Sequence, residues 1–424
     1  MEETFLSDEF IRQLMSVGEV DLLVGISSHN NAKTIGQVVQ AAEEISLGAF
    51  RRERVVIVNA DGGSTDSTRE IVLGLAATSN GGTREVGSLR TLHRIATRYA
   101  DAPSSGRALH TILAAAELLR AKACVVVSGA IEEMQPALIE RLLQHVYREN
   151  FDYAVPLYSR SKFDGLLTRT LLYPLNRALY GYRLRELHAQ EFAFSGRLAS
   201  QCLSRRVWQD ELLLQGAEVW MTVTAVTSGF RFCQSFLGPR PVLGSSPDLV
   251  TAVRQTVGGL FRCMESTESF WIDRTGCEAV PSFGPEHELS DKPAPGDREI
   301  ALERYRNGVN ELSEMLAIIL QEETFREIRQ IASLQDADFR MEDALWVKVV
   351  YEFAASCHLG VLNRDHLIQA LVPIYRGWIA SFLLQHLQST PEELEAATES
   401  LCLEFERQKP YLIERWKAKE RGKP

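Results

Sequence analysis

The chain has 424 residues, beyond the length at which one hydrophobic core keeps growing, so two packed units are expected. Hydrophobic residues at 45% and charged residues at 24%, with 28 Gly and 15 Pro, exclude a low-complexity or disordered chain. The 46 basic residues against 56 acidic ones give a net charge of −10, which lacks the electrostatic footprint of a dedicated nucleic-acid binder.

In chain order, residues 1–20 hold a short amphipathic helix, Phe10 to Val17, with Ser7 as N-cap and Asp8 and Glu9 beside it. Asp21 to Ser28 is a near-continuous apolar run of strand length, as in a strand buried on both faces. A helical stripe follows through Ile35, Val38, Val39, Ala42 and Ile45, then a second strand, Arg54 to Asp61. Ser64 or Thr65 is expected to cap the next helix, with Asp66 in its first turn, running to about Leu75. Residues 79–90 read as a loop, Arg107 to Arg120 as a helix, Ala123 to Val127 as the third strand and Pro136 to Val146 as a helix. This alternation predicts right-handed βαβ units and a parallel, Rossmann-like sheet. From Asp152 to about Phe236 short strands mix with helices. Gly, Pro and acidic residues then concentrate at 276–298, and 299–322, 342–357, 364–388 and 391–417 carry helical periodicity. The expected division is an N-terminal helix (1–20), an α/β domain (21–275), a linker (276–298) and an all-helical domain (299–424). No uninterrupted apolar stretch reaches the ~20 residues that span a bilayer. Met1 to Asp8 matches no secretory leader, and the seven cysteines form no C-x-x-C pair. A cytoplasmic chain with buried thiols, free of disulfides and zinc, is therefore expected.

In an open parallel sheet, ligands bind at the carboxyl ends of the strands near the switch in strand order. Three strand ends stand out: Ser27 to Asn31, Asp61 to Asp66, and Ser128 to Glu133. Gly62 and Gly63 allow a tight turn, and Asp61 is placed to accept from a ligand N–H. The glycines match neither G-x-G-x-x-G nor a P-loop, which disfavours a dinucleotide or Walker-type phosphate cradle.

Val24 to Ile35 (VGISSHNNAKTI) and Val55 to Thr68 (VVIVNADGGSTDST) together resemble the N-terminal half of GT-A glycosyltransferases of family 2 type. More narrowly, the chain resembles the bacterial glucosylglycerate, glucosyl-3-phosphoglycerate and mannosylglycerate synthases. Val155 to Gly165, Tyr173 to Tyr180, Glu191 to Arg197 and Ala217 to Thr222 look like that group's acceptor half. The resemblance implies a GT-A domain followed by a helical one. It also implies transfer of a hexose from a UDP- or GDP-linked nucleotide-sugar to a small hydroxy-acid acceptor such as glycerate or phosphoglycerate. Carried over by position, Ser27, Asn30 and Asp61 hold the nucleoside, with Gly63, Gly106 and Arg107 also on the donor side. Glu191, Glu218 and Thr222 line the sugar and acceptor pocket as catalytic candidates. Arg160 and Lys162 meet an acceptor carboxylate or phosphate. A homodimer through the helical domain is implied as well.

The family's metal site is not matched. Its Asp-x-Asp, which holds a divalent Mg or Mn ion against the diphosphate, reads Ser128-Gly129-Ala130, and the position of its metal-binding histidine aligns with Val242. The expected Gly-Lys-Gly before the helix at 107 reads Ser104-Ser105-Gly106, and an acceptor-site Gly-Gly reads Ala189-Gln190. No cofactor is therefore assigned, and two readings stand. One is a transferase without bound metal, in which Arg94, Arg107, His93, His110 or His188 stabilises the leaving group, or Glu132 and Glu133 recruit a cation. The other is a catalytically silent transferase fold that binds a nucleotide-sugar or a protein partner. A nucleotidyltransferase is a weaker third, because Ser27 to Asn31 contains no glycine. The remaining features carry bland readings: Trp346, Tyr351 and Trp378 are core or dimer-interface aromatics, and Cys357-His358 is no nucleophile–base pair.

Overall fold

The computed structural model describes residues 6–79, 93–99, 103–244, 247–285, 289–290 and 298–418. The expected loop at 79–90, beyond Ser79, and the tail after residue 418 lie outside them, as does much of the expected linker (286–288 and 291–297). The elements run α1 (Asp8–Val17), β1 (Leu22–Ser28), α2 (Ile35–Leu47), β2 (Val55–Asp61), α3 (Thr68–Ser79), β3 (His93–Arg98), α4 (Ser105–Leu118), β4 (Ala123–Ser128), α5 (Pro136–Tyr147) and β5 (Tyr153–Ser161). They continue with α6 (Tyr173–Tyr180), β6 (Phe192–Ser195), α7 (Gly196–Leu203), α8 (Glu211–Gln215), α9 (Ala217–Thr227) and β7 (Phe232–Pro239). Then follow α10 (Leu249–Val253), α11 (Gly259–Ser266), α12 (Glu268–Trp271), β8 (Ser282–Phe283), β9 (Leu289–Ser290) and α13 (Arg298–Glu311). The last five are α14 (Ser313–Ile319), α15 (Glu322–Ala332), α16 (Asp343–Leu359), α17 (Arg364–His386) and α18 (Pro391–Trp416).

Two compact units emerge, interleaved along the chain. The first gathers residues 1–158, 188–246 and 280–287, and the second 159–187, 247–279 and 288–424.

The first unit is an α/β structure built on a sheet of order β3-β2-β1-β4-β6-β5-β7-β8. β1 runs parallel to both β2 and β4, β2 runs parallel to β3, and β6 is antiparallel to β4 and β5. Every residue of β2 and β4 is buried, which is why these strands read as unbroken apolar runs instead of alternating ones. Leu22, Val24 and Ile26 of β1 face a core shared with Val38, Val39 and Ala42 of α2 and Leu138, Ile139 and Leu142 of α5. On the sheet's other face α4 sits close: a Cβ added at Gly25 would lie 2.5 Å from Ile112 Cγ2.

Several expectations need correction here. β3 was not foreseen, because only the middle half of HRIATR is buried, so Ala123–Ser128 is the fourth strand. Neither Ser64 nor Thr65 caps a helix: α3 begins at Thr68, and Asp66 precedes it, accepting from the Thr68 N–H at 3.0 Å. Ser7 does cap α1, accepting from the Phe10 N–H at 3.2 Å.

The second unit is helical, apart from the end of β5, where Arg160 and Ser161 pair in parallel with Leu289 and Ser290 of β9. The helix expected over 299–322 is two helices, α13 and α14, and α15 was not foreseen. Trp346 of α16 and Trp378 of α17 stack with ring centroids 5.6 Å apart, both fully buried, so they are core residues. Among the described residues, α17 alone has the length and mean apolarity to cross a membrane, with Arg376 interrupting its apolar run. Of its most apolar window 72% is buried within the structure, as in a core helix.

Candidate functional site

Because β1 lies between β2 and β4, the strand order switches beside β1, and the carboxyl ends of β1 and β4 are where such a topology favours ligand binding. Ser27, half-buried, pairs with Ser128 across that ladder.

The loops leaving β1 and β2 are interlocked. The Asn30 N–H donates to Ser64 Oγ at 2.9 Å, and the Thr65 N–H donates to Asn30 Oδ1 at 2.9 Å. The Asn31 N–H reaches Thr68 Oγ1 at 2.7 Å, and the Ala32 N–H reaches Asp66 Oδ2 at 3.0 Å. Asn30 adopts φ 54°, a left-handed conformation that asparagine tolerates better than most residues. Burial works against ionisation of Asp66, yet the hydrogen bonds from Thr68 and Ala32 outweigh it and hold its carboxyl below the ordinary range.

Asp61 is the hub, 2% exposed. Its Oδ2 accepts from the N–H groups of Gly63 (3.0 Å) and Ser64 (2.9 Å). Its Oδ1 accepts from Ser64 Oγ (2.5 Å) and Ser28 Oγ (3.2 Å), and the Asn59 amide donates in turn to Ser28 Oγ (2.8 Å). Four donors fill the usual capacity of a carboxylate. Asp61 thus builds the turn that carries Gly62 and Gly63. Gly63, at φ 83°, leaves room for the Arg98 guanidinium, whose Nε lies 2.8 Å from where a Cβ would sit. Arg98 is exposed at the end of β3. Sequence reading passed over it because it passed over its strand.

Around α4, Ser104 Oγ accepts from the Arg107 N–H at 3.2 Å. Gly106 is buried against the Leu214 carbonyl oxygen, which an added Cβ would meet at 2.0 Å. Arg107 keeps a side-chain exposure of 30% and lies 4.0 Å from Glu211. Two other suggested cations are spent elsewhere. Arg94 is ion-paired with Glu43 and enclosed. His110 stacks on Trp208, and burial, with help from Arg107, pushes it down to about 4, so it is neutral near pH 7. Burial and then Arg54 push His93 down as well.

The residues at the metal position do not fit a divalent cation. Ser128 Oγ accepts from the Ala130 N–H at 3.2 Å, Ala130 has no ligating atom, and Val242 is an exposed apolar side chain. The two segments are zipped together: Ile131 bridges Leu243, the Glu132 N–H donates to the Val242 carbonyl at 3.0 Å, and the Gly244 N–H donates to the Ala130 carbonyl at 2.9 Å. Glu132 and Glu133 are exposed on the loop before α5 and do not belong to that helix's first turn. Among the described residues, no group of three His, Cys, Asp or Glu could hold a metal ion.

Because β6 runs antiparallel to β4 and Phe192 pairs with Val126, the chain entering β6 lies at the carboxyl end of β4. Glu191 stands there, 5% exposed, with Oε2 accepting from the Tyr158 hydroxyl at 3.0 Å. Glu218, in the first turn of α9, is 6% exposed, and its Oε2 is enclosed with no hydrogen-bond partner. His188 Nε2 lies 3.6 Å from that oxygen. Thr222 stands behind, fully enclosed, donating to the Glu218 carbonyl at 3.0 Å and meeting the Tyr153 hydroxyl at 2.9 Å.

Arg160 and Lys162 belong to the second unit and are buried there. Arg160 donates through Nε (3.1 Å) and Nη2 (2.5 Å) to Glu186 Oε1, and Lys162 Nζ donates to the Ser389 carbonyl at 3.3 Å.

No protein-family model matches the chain, and no curated protein matches it. Among solved structures it is similar to the glucosyl-3-phosphoglycerate synthase from Mycobacterium tuberculosis in complex with phosphoglyceric acid. That match has 16% identity and a TM-score of 0.43, over 62% of this chain and 85% of that one. The same enzyme with Mn2+, uridine diphosphate and phosphoglyceric acid matches at 16% identity and a TM-score of 0.42, over 60% and 81%. A mycobacterial protein matches at 18% identity and a TM-score of 0.42, over 62% and 79%. At these values the assignment rests on this chain's own residues.

Proposed function

We propose that the chain is a GT-A glycosyltransferase that moves a hexose from a UDP- or GDP-linked nucleotide-sugar to a small hydroxy-acid such as glycerate or phosphoglycerate. The observation that carries this reading is the unpartnered Oε2 of Glu218. A buried carboxylate oxygen left without a donor costs about 1–3 kcal/mol, and a ligand hydroxyl supplies the missing donor. His188, 3.6 Å from that oxygen, opens the segment that runs through Glu191, a second buried carboxylate, into β6 at the carboxyl end of β4. Carboxylates of this kind suit the hydroxyls of a sugar. Ser27, Asn30, Gly63 and the turn built by Asp61 form the nucleoside platform in this reading, with Arg107 towards the diphosphate and Gly106 packing the start of α4 against Leu214. No step passes through a metal.

A second reading, a silent fold that binds nucleotide-sugar, is favoured by the closed segment at Ser128, Ala130 and Val242. One experiment separates the two. Purified protein is titrated with UDP-glucose, GDP-glucose and GDP-mannose by calorimetry, then assayed with glycerate and 3-phosphoglycerate, with EDTA and with Mn2+. Turnover establishes the transferase, binding without turnover establishes the silent fold, and neither outcome ends both readings.

A further inference from the structure

We propose that Arg98 reads the nucleobase of the donor and that the base it selects is guanine, so that the donor is GDP-linked. This inference rests on the transferase reading and narrows its donor.

Arg98 ends β3 and is the register partner of Asp61, the last residue of β2. The next residue ties the two strand ends together, the Tyr99 N–H donating to the Asp61 carbonyl at 3.2 Å. The Arg98 side chain turns over the glycine turn that Asp61 builds. Its Nε and Nη2 both lie 2.8 Å from where a Gly63 Cβ would sit, so a residue without a Cβ lets the guanidinium settle there. Arg98 is exposed all the same, and none of the described residues accepts a hydrogen bond or an ion pair from it. A planar fork of donors therefore lies beside the nucleoside platform with donors left for a ligand.

The side-chain acceptors of the same rim are already engaged. Asp61 takes four hydrogen bonds from Ser28, Gly63 and Ser64. Asn30 Oδ1 accepts from the Thr65 N–H, and Asn31 Oδ1 accepts from the His29 N–H at 2.8 Å. The two oxygens of Asp66 accept from the Thr68 and Ala32 N–H groups. A base held here is met by donors, and it binds best through an edge that carries acceptors. Guanine has such an edge, with O6 and N7 adjacent, and an arginine grips it with two parallel hydrogen bonds. Uracil offers the fork one carbonyl oxygen at a time, flanked by a C–H or by an N–H that itself needs an acceptor. Adenine sets an amino donor beside N7. The guanine N1–H and amino group, on the opposite edge, stay in water because the rim is exposed.

The test is calorimetry on the full chain with free GDP, inosine diphosphate, ADP and UDP, in EDTA and again with Mn2+, so that it needs no turnover. GDP and inosine diphosphate, which share O6 and N7, are expected to bind alike and about tenfold or more tighter than ADP and UDP, as a bidentate pair discriminates. Arg98→Ala, checked by thermal melt, is expected to weaken GDP and inosine diphosphate by that factor and UDP by no more than about threefold, the loss of a single hydrogen bond. A wild type that prefers GDP to UDP less than threefold overturns the proposal. So does an Arg98→Ala variant that loses all four nucleotides equally, which would put the guanidinium on the diphosphate. Turnover of UDP-glucose without a base preference leaves the transferase reading standing and removes this one. Selective binding of GDP without turnover of GDP-glucose or GDP-mannose supports the base assignment and ends the transferase reading. Binding of none of the four overturns both.

Discussion

Gly106 offers a test that separates packing from ligand binding. A Cβ there would lie 2.0 Å from the Leu214 carbonyl oxygen and 2.7 Å from its carbon, whereas ordinary contacts begin near 3.4 Å. In Gly106→Ala the start of α4 must therefore move away from Leu214 by more than 1 Å. The obstacle is backbone, so no rotamer change relieves it. Overpacking of this kind costs about 1–3 kcal/mol, and replacing a helical glycine returns at most about 1 kcal/mol. The expected net loss is about 1–2 kcal/mol. Urea unfolding followed by tryptophan fluorescence reads it as a lower midpoint at unchanged slope. Calorimetry on the folded variant should find UDP-glucose affinity within a few-fold of wild type. A variant that unfolds at the wild-type midpoint yet binds ten times more weakly refutes the argument and returns Gly106 to the ligand.

Three further outcomes are expected. Asp61→Asn, which turns one acceptor oxygen into a donor among four donors, should lower stability by about 2–4 kcal/mol, seen as a reduced urea midpoint; less than 1 kcal/mol would contradict the filled-carboxylate geometry. His110, held at about 4 against an unfolded value of 6.5, binds fewer protons folded than unfolded between these values. Stability is therefore lost as pH falls from 6.5 towards 4, and melts of His110→Gln should show a weaker acid dependence in that window. Asp343 is pushed up to about 6 by burial and then by Glu342 and Glu404, so stability falls as pH rises from about 4 to 6. Asp343→Asn should raise Tm at pH 8 and have little effect at pH 4; the reverse order would exclude a strained carboxylate.

What could be read from the residues follows the physics of burial. β1, β2 and β4 are covered on both faces, so their apolar runs announced them, while β3 is half-covered and its HRIATR carried no such run. The long helices α16, α17 and α18 were foreseen to within two residues by periodicity, but the break at Leu312 leaves no mark a period can detect. Asp61 does end β2, as its apolar run indicated, but it was expected to accept from a ligand N–H, and its oxygens instead serve Ser28, Gly63 and Ser64. That arrangement depends on contacts 33 residues apart as well as local ones. The unsatisfied oxygen of Glu218 was likewise invisible, since sequence lists donors and acceptors without saying which of them meet.

The interleaving of the two units constrains how such a chain can change over generations. Arg177 of α6 is 2% exposed and bonds Glu399 at 2.6 and 2.9 Å and Glu406 at 2.6 Å, both on α18. Lys409 of the same helix reaches the Leu179 and Arg274 carbonyls at 3.2 and 2.7 Å. A recombination point placed after residue 275 would strand a guanidinium in apolar surroundings on one fragment and its carboxylates on the other. Residues 159–187 and the last helix must then be inherited together, and the C-terminal half cannot be swapped as a cassette.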